Sequence, residues 1–253
     1  SGTIKYNDQD INNLKGKELK EYYRDVQGVF QDPFSSYNPI FKADRIFRII
    51  REEFFPEISS KEWHKKVEKS LYDVGLNPGD VLNKFPHQLS GGQLQRFLIA
   101  RALLLDVNFL VADEIISMLD ASTRIDVLNL LAELKKRGLS VLFITHDLSL
   151  GYYISEKAII LYRGCVLESG ITEKIFDNPL HPYTRMLMAS VPRLDKKWEK
   201  VEMELKAKQI ETANKCVYYD RCPYAKKDER CSNPEMVEAE EGHFVACCHY
   251  GEV

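Results

Sequence analysis

One regular unit in the middle of the chain constrains its fold more than any other feature. The apolar run "FLVA" (109–112) is followed by the carboxylates Asp113 and Glu114, then by a helical pattern at 122–136 and the apolar run "VLFI" (141–144). A helical apolar spacing between two short apolar runs predicts a β-α-β crossover in a parallel sheet. The unbroken apolar character of "VLFI" predicts a strand that is covered on both faces. We therefore predict an α/β fold.

Polar side chains follow both strands of this crossover. Asp113 and Glu114 end the first strand, and His146 closely follows the second. Because ligands of open parallel sheets bind outside the carboxyl ends of the strands, we expect these side chains to lie at one edge. One carboxylate there can hold Mg²⁺, a second can orient or deprotonate a water, and a histidine can hydrogen-bond a phosphate oxygen. Upstream, "SGG" (90–92) opens a helix and predicts an anion site built from backbone N–H groups.

The composition is that of an ordinary globular protein. The chain has 253 residues, of which 44% are hydrophobic and 29% are charged, which suits one large α/β domain or a large domain with a small one. Lys and Arg total 35 against 38 Asp and Glu, so no overall attraction to nucleic acid or anionic lipid is expected. No apolar run approaches the ~18 residues of a membrane span, and no secretory signal opens the sequence.

Five of the six cysteines are clustered near the C-terminus. Four of them have the spacing C-x5-C-x8-C-x15-C: Cys216, Cys222, Cys231 and Cys247. Without a secretory signal, such clustering predicts metal ligation, and four thiolates suit a [4Fe–4S] cluster or a structural Zn²⁺. Cys248 and His249 are alternative donors for the fourth position. A metal-free tail or a disulfide pair is the remaining alternative.

The other cysteine and most histidines lack a pattern that indicates chemistry. Cys165 follows Gly164 at a predicted hairpin, and we expect it to be a small buried residue. Four histidines have no partner pattern and are expected in the core or on the surface: His64, His87, His181 and His243.

Five segments resemble, in the same order, the motifs of ABC ATPases. They are Gln31 in "VFQDPFSSYNP" (the Q-loop), "LSGGQLQR" at 89–96 (the signature), "FLVADE" (Walker B), "SMLD" at 117–120 (the D-loop) and "ITHD" at 144–147 (the switch-histidine loop). The phrases "FQDPFSSYNP" and "NPLHPYTRMLMASVP" are similar to those of ATPase subunits of oligopeptide and dipeptide importers. The cysteine tail, with "RCPYA" and "VAC", is typical of the same subfamily.

This resemblance implies roles for the residues at the sheet edge. Asp113 would bind Mg²⁺ through water, and Glu114 would polarise the attacking water. His146 would contact the γ-phosphate of ATP. Gln31 would sense that phosphate while contacting a membrane subunit.

The resemblance also implies groups that act between subunits. Four signature residues would clamp the γ-phosphate of an ATP held by the opposite ATPase subunit: Ser90, Gly91, Gly92 and Gln93. Asp120 would communicate across that interface. Residues 42–97 would form the helical subdomain that grips the transporter.

The implied fold is a P-loop NTPase-like ABC ATPase core, N-terminally incomplete, with an inserted helical subdomain and a small cysteine-rich C-terminal extension. The core is expected at 1–41 and 98–192, the helical subdomain at 42–97, and the linker with the cysteine-rich extension at 193–253.

The phosphate-binding loop G-x-x-x-x-G-K-[ST] does not occur in the sequence. The only Gly-Lys pair, Gly16–Lys17, is followed by Glu18, and Ile11 stands where the first glycine should be. The chain starts at Ser1, and we expect it to begin just after this Walker A segment and to be inactive alone. Either it is a truncated copy of an active ATPase, or it is a catalytically inactive accessory subunit that supplies its signature in trans.

The resemblance implies ATP and Mg²⁺ as ligands and favours [4Fe–4S] over Zn²⁺ in the cysteine tail. The implied partners are a second ATPase subunit, expected to be a paralogue, two transmembrane permease subunits and, indirectly, an extracytoplasmic solute-binding protein. The expected location is the cytoplasmic face of the cell membrane, as a peripheral subunit. A DNA-repair or translation ATPase is disfavoured by "HPYTRMLMASVP" and by the lack of a basic patch.

Overall fold

A computed structural model describes residues 2–117, 119–190, 215–225, 231 and 234–251. The chain forms two compact units, Ser1–His146 and Asp147–Val253. The expected boundary between residues 192 and 193, and the linker after it up to residue 214, lie outside the described residues.

The first unit contains a three-stranded parallel sheet in the order β3-β4-β5. The strands are β3 (Val26–Val29), β4 (Phe109–Asp113) and β5 (Ser140–Ile144). Helix α6 (Ala121–Lys136) connects β4 to β5 and packs on β5. The predicted β-α-β crossover is therefore confirmed, with each element within two residues of its expected bounds.

The prediction that β5 is covered on both faces is wrong for the described part of the chain. Leu142 is 46% exposed and Ile144 is 42% exposed, whereas Val141 and Phe143 on the opposite face are half-buried. In the described sheet β5 is an edge strand that pairs only with β4. An apolar run indicates that a strand can be buried, but it does not show which face of the strand is covered by another element.

The remaining elements of the first unit are mostly helical. They are β1 (Lys5–Tyr6), β2 (Gln9–Asp10), α1 (Gly16–Asp25), α2 (Arg45–Phe54), α3 (Ser60–Asp73), α4 (Pro78–Val81) and α5 (Gly91–Leu103). The rings of Phe47 in α2 and Phe97 in α5 stack with their centroids 4.6 Å apart in the core of the helical region. Ser59 and Glu62 form the capping box that starts α3.

The second unit is built on an antiparallel sheet in the order β6-β7-β9-β8. Its elements are α7 (Leu148–Ile154), β6 (Lys157–Tyr162), β7 (Cys165–Ile171), α8 (Thr172–Asp177), α9 (Pro182–Ser190), β8 (Val237–Glu240) and β9 (His243–Val245). The predicted hairpin turns at Arg163 and Gly164, which both have positive φ. Cys165 is exposed, so its expected burial is wrong. Among the helices of the described residues, none is long and apolar enough to cross a membrane.

Candidate functional site

The end of β4 meets the end of β5 at one edge of the parallel sheet. Asp113 is the last residue of β4 and pairs with Ile144. The Glu114 N–H extends the ladder by one step and donates to the Ile144 carbonyl oxygen at 2.9 Å. Glu114 then leaves the sheet with φ of 48°, in the left-handed region that non-glycine residues rarely adopt. This turn directs the chain away from the strand immediately after the two carboxylates.

Glu114 and His146 form a contact at this edge. Glu114 Oε1 lies 3.2 Å from His146 Nδ1. The Glu114 side chain is 28% exposed and the His146 side chain is 71% exposed, so a ligand from solvent can reach both. The prediction that the two strand ends bring these groups together is confirmed. A carboxylate beside an accessible imidazole can accept a proton from a water held between protein and phosphate.

The other residues expected at this site are arranged less closely. Asp113 is half-buried at the end of β4. Gln31 follows β3 and is exposed, and no hydrogen bond joins it to Glu114 or His146 in the described structure. The structure thus joins Glu114 to His146 by a direct contact.

The signature residues form the start of α5. Ser90 is the N-cap: its Oγ accepts the Gln93 N–H at 3.2 Å, and Gln93 Oε1 accepts the Ser90 N–H at 2.9 Å. Each of these two side chains therefore satisfies the backbone N–H of the other residue at the helix start. The N–H groups of Gly91 and Gly92 have no intrahelical acceptor at this position and remain available to an anion.

Asp120 has a local structural task that the sequence interpretation did not predict. It is the N-cap of α6 and accepts hydrogen bonds from Ser122 Oγ at 2.6 Å, from the Thr123 N–H at 3.0 Å and from Thr123 Oγ1 at 2.8 Å. These bonds, that from Ser122 foremost, hold the pKa of Asp120 well below its ordinary value. Residue 118 of the predicted D-loop lies outside the described residues.

The signature helix and α6 approach each other closely at Gly92. A Cβ built on Gly92 would lie 2.9 Å from Thr123 Cγ2, closer than real Cβ contacts allow. A Cβ on Gly91 would come no nearer than 3.9 Å to Phe34. Of the two signature glycines, Gly92 is the one that the packing within this chain requires.

The C-terminal cysteines line one cavity of the second unit. All four predicted ligands border it, together with Cys248, His249 and His181. The most convergent donors are Cys231, Cys248 and His249, whose ligand atoms all lie within 4.8 Å of one another. We call this cavity the cysteine pocket.

The alternative donors for the fourth position, Cys248 and His249, lie close to Cys231. Cys231 Sγ lies 2.7 Å from Cys248 Sγ and 3.3 Å from His249 Nε2. Cys247, the predicted fourth ligand, instead accepts the His249 N–H at 3.4 Å with its sulfur. The sequence spacing alone could not choose between the adjacent residues Cys247 and Cys248, because the direction of each side chain depends on the local backbone.

Burial controls the charge of the pocket thiols. Burial raises the pKa of Cys216, Cys222 and Cys248, and it raises the pKa of Cys247 to about 11. Removing a thiol from water disfavours the thiolate, so these groups are neutral thiols unless a cation compensates the charge. The donor set of five thiols and the His249 imidazole fits a soft metal ion or an iron–sulfur group, because either would supply that compensation.

Two buried histidines were expected to have no chemical role. His243 Nε2 lies 2.7 Å from Glu168 Oε1, and both side chains are fully buried. His181 is 1% exposed and its Nε2 faces Cys216 Sγ at 4.0 Å. The only sequence signal for His181 was its place in "NPLHPYT", directly before a predicted helix.

Comparisons with known proteins agree across most of the chain. Residues 1–117 match the family described as "ABC transporter", and residues 167–231 match "Oligopeptide/dipeptide transporter, C-terminal region". The chain is 41% identical to the oligopeptide transport ATP-binding protein AppF of Bacillus subtilis, over 98% of this chain and 77% of that protein. It is 36% identical to OppF of Salmonella typhimurium, an oligopeptide transport ATP-binding protein, over 97% of this chain and 75% of that protein.

Solved structures show the same fold. The ATP-binding cassette MJ0796, in a dimeric post-hydrolysis state with ADP and Pi, superposes with a TM-score of 0.60 at 28% identity. The match covers 68% of this chain and 74% of that one. CbiO1 of Clostridium perfringens, at 24% identity, covers 70% of this chain and 68% of its own with the same TM-score and supports the fold alone.

Proposed function

The chain belongs to the oligopeptide/dipeptide family of ABC transporter ATP-binding subunits, and we propose that it couples ATP hydrolysis to the uptake of peptides. The observation that carries the hydrolytic part is the contact between Glu114 and His146 at the carboxyl edge of the parallel sheet. The two groups are partly exposed and stand where ligands of such sheets bind.

The proposed roles follow from the chemistry of these groups. Glu114 polarises the water that attacks the γ-phosphate, and His146 hydrogen-bonds the transferred phosphoryl group. Asp113, one residue earlier on β4, holds Mg²⁺ through water. Gln31, exposed after β3, contacts the phosphate and a membrane subunit once these are bound.

The start of α5 acts on a nucleotide held by a second ATPase subunit. The free N–H groups of Gly91 and Gly92 bind the γ-phosphate, and the Ser90–Gln93 capping box holds the helix start in shape. Asp120, at the start of the neighbouring α6, transmits this contact across the interface. The second ATPase subunit is proposed to be a paralogue.

We propose that this subunit itself hydrolyses ATP within the assembled transporter. The support is that Gln31, Glu114 and His146 are all retained as a working site needs them. The alternative is an inactive subunit that offers only its signature to a partner. The intact mass of the protein from its native cells distinguishes the two: a mass well above 29.3 kDa, with a G-x-x-x-x-G-K-[ST] peptide, supports the first, and 29.3 kDa supports the second.

Transport itself is tested by uptake of a labelled oligopeptide into cells with and without this subunit. Loss of uptake without it, with uptake of an unrelated sugar unchanged as the control, is the expected result. Equal peptide uptake in both strains would contradict the proposal. The proposed location is the cytoplasmic face of the membrane, against two permease subunits that receive solute from an extracytoplasmic binding protein.

We also propose that the cysteine pocket holds a metal group. Cys216, Cys222 and Cys231, with Cys248 or Cys247 as the fourth thiolate, would hold a [4Fe–4S] cluster. The alternative is one structural Zn²⁺ bound by the same thiolates, with His249 as a further donor close to Cys231 and Cys248. When bound, either group would cross-link the extension, and a cluster would add a one-electron centre.

The colour and metal content of the anaerobically purified protein test this group. Broad absorption near 400 nm with iron and sulfide supports the cluster, and a colourless protein with one equivalent of zinc supports the alternative. A protein with neither would overturn the proposed metal group.

A further inference from the structure

His181 lies between the cysteine pocket and a buried polar anchor. It directly precedes α9, borders the pocket and is almost fully buried. Its backbone N–H donates to Glu168 Oε2 at 2.9 Å. The position of the His181 side chain is therefore fixed both by this backbone hydrogen bond and by its contacts in the pocket.

The anchor is a single buried carboxylate with three donors. Glu168 on β7 accepts the N–H groups of Leu180 and His181, both at 2.9 Å, and it pairs with His243 Nε2 on β9 at 2.7 Å. A buried carboxylate that is satisfied by three donors is costly to disturb. It ties the residues before α9 to two strands of the sheet, and so it holds His181 in place.

The hydrogen bonds of His181 determine its tautomer. The Tyr183 N–H donates to His181 Nδ1 at 3.0 Å, so Nδ1 is an acceptor and carries no proton. In a neutral imidazole with a bare Nδ1, the proton is on Nε2. That N–H points at Cys216 Sγ, 4.0 Å away.

The surroundings of this contact are largely aromatic. The ring of Tyr218 is buried and lies 5.8 Å from the His181 ring in an edge arrangement, and Tyr183 packs on Tyr218. In such a low-dielectric site, a hydrogen bond to a sulfur that gains negative charge is stronger than in water. Donors to ligand sulfurs are among the factors that set metal affinity and reduction potential.

We infer that His181 is a positioning residue of the cysteine pocket, whose Nε2–H donates to the sulfur of Cys216 and stabilises that sulfur as a metal-bound thiolate. This inference rests on the proposed function of the pocket as a metal site. His181 is not itself a ligand. Its contribution is a fixed N–H dipole directed at one of the ligands.

Two substitutions of His181 distinguish the loss of its N–H donor from a change in the shape of the pocket. His181→Asn keeps an oxygen that can accept the Tyr183 N–H, which preserves the start of α9, but its amide is too short to reach Cys216. His181→Gln places an amide N–H close to the position of Nε2. His87→Asn, at an exposed histidine of the other unit, is the matched control.

The experiment measures Zn²⁺ affinity by chelator competition, and the midpoint potential after reconstitution with iron and sulfide, on the full chain. We expect His181→Asn to weaken Zn²⁺ binding by about 10-fold or more and to make the potential more negative. His181→Gln should return both values towards those of the wild type, and His87→Asn should change neither. In a Cys216→Ser background, the effect of His181→Asn should disappear.

The possible outcomes distinguish a failure of the inference on His181 from a failure of the proposed metal site. A wild-type chain that binds neither zinc nor a cluster overturns the proposed site and the inference together. A wild-type chain that binds metal, with His181→Asn equal to it in affinity and potential, overturns the inference alone. A His181→Gln variant as impaired as His181→Asn also overturns it, because the donor would not be the cause.

Discussion

Glu114 and His146 are 32 positions apart in the chain, yet Oε1 of the first lies 3.2 Å from Nδ1 of the second. The contact exists because β4 and β5 are parallel neighbours, so that their carboxyl ends share one edge of the sheet. It brings a carboxylate and an imidazole together at an edge of the sheet that solvent can reach. This arrangement is the basis of the first prediction.

Glu114→Gln should abolish turnover without abolishing nucleotide binding. The amide keeps the shape of the carboxylate but cannot accept a proton from water, so ATP hydrolysis by the assembled transporter should fall by about 100-fold or more. Glu133→Gln, at an exposed carboxylate on α6, is the control and should hydrolyse ATP at the wild-type rate. Steady-state phosphate release measures the first effect and nucleotide binding measures the second. Undiminished hydrolysis by Glu114→Gln would refute the role of Glu114 as the base.

Helices α3 and α5 both begin with a serine capping box, so a comparison of the two distinguishes an effect on stability from an effect on function at the signature. Ser90→Ala and Ser59→Ala each remove an N-cap, and each should lower the free energy of unfolding by about 1 kcal/mol. Only Ser90→Ala should impair peptide uptake, because the first turn of α5, and not that of α3, is proposed to bind a nucleotide. Denaturant unfolding and uptake are measured on both variants. Equal losses of uptake would mean that Ser90 acts through stability alone.

Gly92→Ala should disturb the packing of α5 against α6. The new methyl group would stand 2.9 Å from Thr123 Cγ2, and Thr123 is held by its hydroxyl on Asp120. We expect a loss of about 1 to 2 kcal/mol relative to Gly91→Ala, whose methyl group meets only an ordinary contact.

Thr123→Ser provides the compensating change for Gly92→Ala. It removes the methyl group of Thr123 and retains the hydroxyl that bonds Asp120, so the double variant should recover most of the lost stability. Thermal unfolding of the two single variants and the double variant measures this coupling. A double variant no more stable than Gly92→Ala would show that Thr123 is not the source of the clash.

Burial of His181 should make the metal-free protein less stable in mild acid. The pKa of His181 is about 4 in the folded chain and 6.5 without burial, so the folded state favours the neutral ring. This contribution is fully present above pH 6.5 and is lost as the pH falls towards 4, because the unfolded chain takes up the proton first. The loss should reach about 3 kcal/mol at most. Glu168 and Cys216 face the ring, and Glu168 opposes the effect of burial.

His181→Asn has no group that titrates in this range. The difference in the free energy of unfolding between the metal-free wild type and this variant should therefore change between pH 6.5 and pH 4 and be constant above pH 7. Urea unfolding at a series of pH values measures it. A difference that does not vary with pH would show that His181 is not buried as a neutral ring.

Local patterns predicted much of the fold. The β4-α6-β5 crossover and the turn at Arg163–Gly164 depend on residues close in sequence, and both were found where they were expected. The meeting of Glu114 and His146 was also predictable, because a parallel crossover brings two strand ends to the same edge. The order of motifs along the chain indicated the family.

Other features depend on which segments meet in space. The sequence could not show that Leu142 and Ile144 are exposed on an edge strand, or that Cys165 is exposed at a turn. It could not show that Asp120 caps α6, since the same carboxylate at the same position also suits an interface role.

The cysteine pocket illustrates both what the sequence determined and what it left open. The sequence by itself determined that thiols are concentrated in one C-terminal segment, because composition and spacing are properties of the chain. Only the tertiary structure decided that Cys248 and His249 converge on Cys231, and that His181 faces Cys216 from 35 positions away. The physical reason is that the direction of a side chain depends on the backbone and on the packing around it. For His181, which directly precedes α9, that packing includes the buried carboxylate of Glu168 on strand β7.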